Sequence, residues 1–207
     1  MEKRVNKDLE DFYQNPKDSN LTEYESVMKS MTKEEINFIK ERTPIKFFKK
    51  GTILLREGEV SDKSYFTFKG CVRQYYLMDG IEKTTFFFTE GHSISSFQSS
   101  SQQTPSKHYL ECVEDCKLSV SSLKNEEEMY HRFPRFKMMC LKESERQLGN
   151  YQEMLAHYIT SSPEERYLNL LKSRPELLNR VPQHQIASYL GVKPESLSRI
   201  RKRISLK

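Results

Sequence analysis

The sequence lacks any apolar run long enough to cross a membrane. Its densest apolar patch, Phe86-Phe87-Phe88, falls far short of the ~20 residues a spanning helix needs. Nothing marks export. The start, Met1-Glu2-Lys3-Arg4-Val5-Asn6-Lys7-Asp8, is charged and no apolar core follows it, which argues against a signal peptide. Cysteine is sparse, with four in 207 residues. That is ordinary for reduced cytosolic thiols and forms no disulfide framework. These absences predict a cytoplasmic protein. Catalytic signatures are missing too: there is no phosphate-binding glycine loop, no zincin helix and no nucleophile elbow. An enzyme has no positive support, and no catalytic residue or cofactor is expected.

One spacing raises the question of a metal. His108, Cys112 and Cys116 recur at intervals of four. On a helix they would align as three ligands. Tyr109 to Val113 reads as a strand, where each such step spans ~13 Å, too far for one ion. No metal site is therefore predicted. Cys140 reads as a quiet buried thiol.

Charge carries more information by position than by size. Thirty-four Lys and Arg oppose 29 Asp and Glu, a net charge of +5. At the C-terminal end Lys193, Arg199, Arg201, Lys202, Arg203 and Lys207 oppose only Glu195. A basic cluster on a balanced chain fits a polyanion partner, or else a solvated tail.

Residues 1–43 read as a polar helical segment. Leu21, Tyr24, Val27 and Met28 recur at helical spacing. Thr32 and Glu35 form a capping box ahead of Ile36, Phe38 and Ile39. From Ile45 the texture changes to short aromatic and β-branched runs, at Ile45–Phe48, Thr52–Leu55, Tyr65–Phe68, Val72–Leu77, Thr84–Phe88, Tyr109–Val113 and Lys117–Val120. Turn signals such as Lys50-Gly51, Lys69-Gly70 and Asp79-Gly80 separate them. Strands at this spacing predict a sandwich, roll or barrel over 44–132, with a hairpin at Asp79-Gly80. The Ser/Gln-rich stretch Ser93–Ser106 is a loop or a loosely held helix.

Over 133–161 the period becomes helical. Leu141, Leu148 and Leu155 repeat every seven residues, with Ser144, Tyr151 and Tyr158 at the other seam position. That is the pattern of a two-chain coiled coil, so Leu141, Leu148, Tyr151, Leu155 and Tyr158 are the expected dimer contacts. Ser162 can cap a further helix, with Pro163 in its first turn.

The region 162–207 ends in the strongest signal. Ile186, Ala187 and Leu190 form the inner face of one helix. Gly191 sits where the chain must leave through a left-handed conformation, and Val192 plugs the corner. Pro194 starts a second helix with Leu197, Ile200 and Ile204 inside. This is a helix-turn-helix. On its opposite face Glu195, Ser198, Arg199 and Lys202 lie at i, i+3, i+4 and i+7. Arg199 can bind guanine and Glu195 can accept from cytosine. Lys193, Ser196, Arg201 and Arg203 are placed for phosphates, and Gln183 joins the DNA-contacting set.

Taken in order, these segments resemble the Crp/Fnr regulators, of the cyclic-AMP receptor protein type. The resemblance runs from about Met31 to Ile204. It rests on Phe48–Glu59, Tyr65–Arg73, Glu164-Glu165-Arg166-Tyr167 and Ile186–Gly191. It implies an α+β fold: an N-terminal double-stranded β-roll (a cyclic-nucleotide-binding-like jelly roll), a long dimerisation helix, and a C-terminal helix-turn-helix with a vestigial or absent wing. It implies a homodimeric regulator that binds double-stranded DNA, with RNA polymerase as a further partner.

Two departures narrow this. Pro194 replaces the first Arg of the family's recognition helix, so target sequence does not carry over. Ser95-Ser96 stand where cyclic-nucleotide binders carry Gly-Glu, and Ser106-Lys107 where they carry Arg-Ser. No guanidinium fork awaits a phosphate there, so Ser95, Ser96, Ser106 and Lys107 mark the expected effector pocket but not a cyclic-AMP site. Its effector is another small molecule or none. The family's iron–sulfur branch uses an N-terminal cysteine cluster, and no cysteine precedes Cys71. The alternative function is a ligand-binding or protein-docking module that has lost regulated DNA binding.

Overall fold

A computed structural model describes residues 31–205. The helical run expected around Leu21, Tyr24, Val27 and Met28, and the cation Lys207, lie outside the described residues. Helix α1 (Lys33–Arg42) opens at the capping box: the Glu35 amide donates to the Thr32 hydroxyl, and the Thr32 amide donates to the Glu35 carboxylate at 2.7 Å.

Two antiparallel four-stranded sheets follow. The first orders its strands as β1 (Ile45–Phe48), β8 (Cys116–Ser122), β3 (Lys63–Lys69) and β6 (Ser93–Ile94). The second orders β2 (Ile53–Leu55), β7 (Tyr109–Cys112), β4 (Val72–Met78) and β5 (Ile81–Phe88). Asp79 and Gly80 join β4 to β5 with φ of 51° and 76°. Two consecutive positive φ values make the type I′ turn whose twist matches the strands.

Side chains alternate across the strands. Tyr65, Val72, Phe88, Ile94, Leu110 and Leu118 meet between the sheets as the core of the roll. Ile94 and Leu118 are fully buried, and each contributes ~1.5–3 kcal/mol by the usual transfer scale. The opposite residues face outward. Register pairs Phe66 with Ser119 and Ser93, and Ser64 with Ser121, on the outer face of the first sheet. Arg73 and Phe87 pair on the outer face of the second.

The remaining elements are helices: α2 (Phe97–Gln102), α3 (Leu123–Arg132), α4 (Pro134–Thr160), α5 (Pro163–Ser173), α6 (Leu177–Arg180), α7 (Gln183–Tyr189) and α8 (Pro194–Ser205). α2 fills part of the Ser/Gln-rich stretch. α3 departs from the expectation of β structure up to residue 132. Ser122 caps it through the Asn125 amide, and Met129 buries against Phe38, Ile39, Phe133 and Phe136. α5 begins with a second capping box, Ser162 with Glu165, and Pro163 in its first turn.

A further apolar cluster runs from Phe87 and Val113 into Tyr167, Leu170, Leu177, Ile186 and Leu197. Helix α7 thus packs directly onto β5 at the outer face of the second sheet, and α5, α6 and α8 share its apolar cluster. The fold is α+β: a β-roll, a long helix and a helix-turn-helix. Among the described residues no helix is long and apolar enough to cross a membrane.

Candidate nucleic-acid interface

Helices α7 and α8 cross through small and branched side chains. Ala187 is fully buried where the helices approach, beside Ile186, Leu197 and Ile200. Gly191 ends the first helix at φ 69°, and the Val192 amide returns to the Ala187 carbonyl at 2.9 Å. A side chain at 191 would be strained by that φ and would overlap the Tyr158 hydroxyl.

The outer face of α8 points to solvent. Glu195, Ser198, Arg199, Arg201 and Lys202 are exposed, as is Lys193 just before the helix; Ser196 is half-buried. The Arg199 guanidinium donates to the Glu195 carbonyl at 3.4 Å, so it lies back along its own helix. Gln183, exposed at the start of α7, shares a shallow hollow with Ser198, Arg201 and Lys202. Arg203 departs from this face. Its place on the helix turns it toward α5, where it pairs with Glu164.

Sequence reasoning missed what holds this unit to the β-roll. Arg180 forms a two-pronged pair with Glu90, at 2.9 and 2.8 Å, and its Nε donates to Glu114 at 3.0 Å. Burial pushes the Glu90 carboxyl up, but Arg180 and the Gly70 amide outweigh it and leave it below its ordinary value. Arg174 donates to the Phe87 carbonyl at 2.9 Å and the Thr89 hydroxyl at 3.0 Å. The Ser188 hydroxyl donates to the Glu82 carbonyl and accepts from the Thr84 amide, both at 2.9 Å. The Tyr189 ring meets Phe87 edge-on at 5.3 Å. The arginines and Ser188 act largely on backbone or on distant carboxylates, which leaves no periodic signal.

Helix α4 carries an open apolar stripe. Leu141, Leu148 and Leu155 are 48%, 59% and 59% exposed. The two tyrosines expected beside them are engaged within the chain. Tyr151 packs edge-on against Phe86 at 5.1 Å, and Tyr158 lies against Gly191 with the Arg166 guanidinium 4.5 Å from its ring.

The four expected effector residues do not converge. Ser95 lines a cavity of about 620 Å³ between the first sheet and helices α1, α3 and α4. Ser96 and Ser106 are buried and do not line it. Ser106 donates to the His108 carbonyl at 2.9 Å through its hydroxyl and to the Glu59 carbonyl at 2.8 Å through its amide. Lys107 is exposed. The buried guanidinium of Arg73 is no phosphate anchor, because Glu82 and Glu111 each hold it at 2.6 Å.

The thiols also differ from expectation. Cys112 ends β7 and Cys116 begins β8, and the bend at 113–115 brings the two thiols into hydrogen-bond contact rather than ~13 Å apart along one strand. Cys116 also donates to the Cys71 carbonyl at 3.5 Å, and burial pushes the Cys71 thiol up to about 12. No group of three or more metal-binding side chains is assembled among the described residues.

No family model matches the sequence, and no curated protein does. Solved structures do match in three dimensions. The c-di-GMP-responsive global regulator CLP of Xanthomonas campestris is 16% identical, with a TM-score of 0.68 over 84% of this chain and 92% of that one. A CooA mutant from Carboxydothermus hydrogenoformans is also 16% identical, with a TM-score of 0.63 over 81% and 78%. The catabolite activator protein of Thermus thermophilus is 18% identical, with a TM-score of 0.51 over 84% of both chains. The chain therefore has the fold of the Crp/Fnr regulators.

Proposed function

We propose that this chain is a sequence-specific transcription regulator that binds double-stranded DNA as a homodimer and works in the cytoplasm with RNA polymerase. One observation carries the reading: the solvent face of α8 presents Arg199, Arg201 and Lys202, with Lys193 before it, behind a helix-turn-helix corner at Gly191. A helix of this shape fits the major groove with its first turns against base edges. Arg199 reads guanine, Glu195 reads cytosine, and Lys193, Ser196 and Arg201 hold phosphates, with Gln183, Ser198 and Lys202 beside them. Arg203 joins them only by leaving Glu164.

The leucine stripe on α4 supports pairing of two copies. A symmetric pair sets its recognition helices about one DNA turn, ~34 Å, apart on a near-palindrome. The functional units are then 44–132 as sensor, 133–161 as dimer helix and 162–207 as DNA-binding unit. The sensor does not read cyclic AMP through the usual phosphate cassette, since serines replace its charged residues and Lys107 faces solvent.

Binding to genomic fragments, followed by fluorescence anisotropy across a salt series, tests this. Arg199→Ala is expected to cost ~1–3 kcal/mol on the preferred site and to relax specificity at one base pair. Arg201→Ala is expected to weaken all sequences alike and to lower the salt slope by about one. Wild-type affinity in both variants, or binding indifferent to salt, would refute the proposal.

A further inference from the structure

The cavity beside Ser95 has an unusual lining. Its floor is the outer face of the first sheet, which presents the hydroxyls of Ser64, Ser93, Ser119 and Ser121. Its wall is apolar and pliable, built by Met129 of α3 and by Phe136, Met138 and Met139 of α4. Between floor and wall stands Glu126, half-buried on α3. Its one hydrogen-bond partner among the described residues is the Ser64 hydroxyl, and no Lys or Arg pairs with it. A partly buried carboxylate with a single neutral partner leaves acceptor capacity unmet.

We infer that this cavity is a binding site for a primary monoamine with an apolar body, its ammonium held by Glu126 and the serine hydroxyls and its hydrocarbon against the methionine wall.

The other charges at the cavity fit one cation of this kind. Glu143, the second carboxylate in the lining, is already engaged by Arg146, at 2.8 and 2.6 Å, and by the Gln147 side-chain amide at 2.8 Å. Arg135 and Lys142 stand exposed on α4 at the rim, which weighs against a di- or polyamine and leaves Glu126 as the inner anion. Burial also pushes the Glu126 carboxyl up, so an arriving ammonium restores the charged form. A volume of about 620 Å³ lies within the range of small-molecule sites.

The regulatory meaning of this site rests on the reading of the β-roll as a sensor, but the binding does not. It is measured on the full chain without DNA, so its failure leaves DNA binding untouched, and loss of DNA binding leaves the amine site standing. The probes are n-hexylammonium, hexan-1-ol and hexanoate, followed by titration calorimetry. A charge-assisted contact predicts that hexylammonium binds at least about tenfold tighter than the alcohol. Glu126→Gln keeps the side-chain shape and should erase that preference while leaving the alcohol unchanged. On the unaltered protein, methyl NMR should show Met129, Met138 and Met139 shifting with hexylammonium, which locates the site even if the variant folds poorly. Equal binding of amine and alcohol, tighter binding of hexanoate, no binding, or methyl shifts elsewhere would each overturn the proposal.

Discussion

Replacing Arg180 by methionine should free the C-terminal helices from the β-roll, and the structure sets the scale. Arg180 reaches from α6 to Glu90 with two bonds and to Glu114 with two more. All three side chains are largely shielded, at 22%, 18% and 31% exposure. Removing one partner of a fully buried pair costs ~3–5 kcal/mol, because the other charge is stranded. Residual solvent access here reduces that to about 2–4 kcal/mol at neutral pH. The pH dependence follows from Glu90. Its folded value lies below 4.5, so the pair stabilises the native state fully above that point and loses its contribution as pH falls through the lower folded value. In Arg180→Met the same carboxylate loses its cation, so burial raises its value relative to the wild type and protonation relieves the stranded charge earlier as pH falls. The stability gap between wild type and variant should therefore be widest near neutrality and shrink in acid. Urea titrations at several pH values measure it. A gap below about 0.5 kcal/mol at neutral pH, within the range of ordinary surface changes, would refute the reasoning, and so would a gap that widens in acid.

Leu148→Glu should convert the proposed dimer to monomer in sedimentation velocity, because two charges would meet in the stripe that Leu141 and Leu155 continue; an unchanged sedimentation coefficient would contradict that pairing. Gly191→Ala should lower stability by ~1–2 kcal/mol, the cost of a left-handed side-chain residue, and Tyr158→Ala on top should relieve only the overlap; a neutral single change in the urea titration would contradict this. Ser188→Ala should speed exchange of the Thr84 amide, which donates to that hydroxyl, without altering the Gly70 amide held by Glu90; equal protection of Thr84 would argue against the contact.

What the sequence discloses is mostly local. Asp79-Gly80, the Thr32–Glu35 and Ser162–Glu165 boxes, and the Ala187–Gly191–Pro194 corner each encode a backbone shape within a few residues, and each stands where its chemistry requires. β6 escapes notice because two residues are too short for a period, and α3 because Met129 is the one fully buried residue in a polar stretch. Long-range polar contacts are harder still. Nothing near Arg180 announces Glu90, ninety residues away, and nothing near Ser64 announces Glu126. Cys112 and Cys116 mislead because strand spacing is extrapolated across a bend. The site on α8 was legible as a charge pattern; only three dimensions reveal that Arg203 turns aside to Glu164.

The Ser188 contact has one more implication. β5 is the outermost strand of its sheet, and its outward amides and carbonyls form a template on which a foreign strand could add. By bridging Glu82 and Thr84, the hydroxyl from α7 occupies two of those groups in the middle of the rim. Any motion that swings the C-terminal helices away would bare them, so detachment of that unit would carry a solubility hazard.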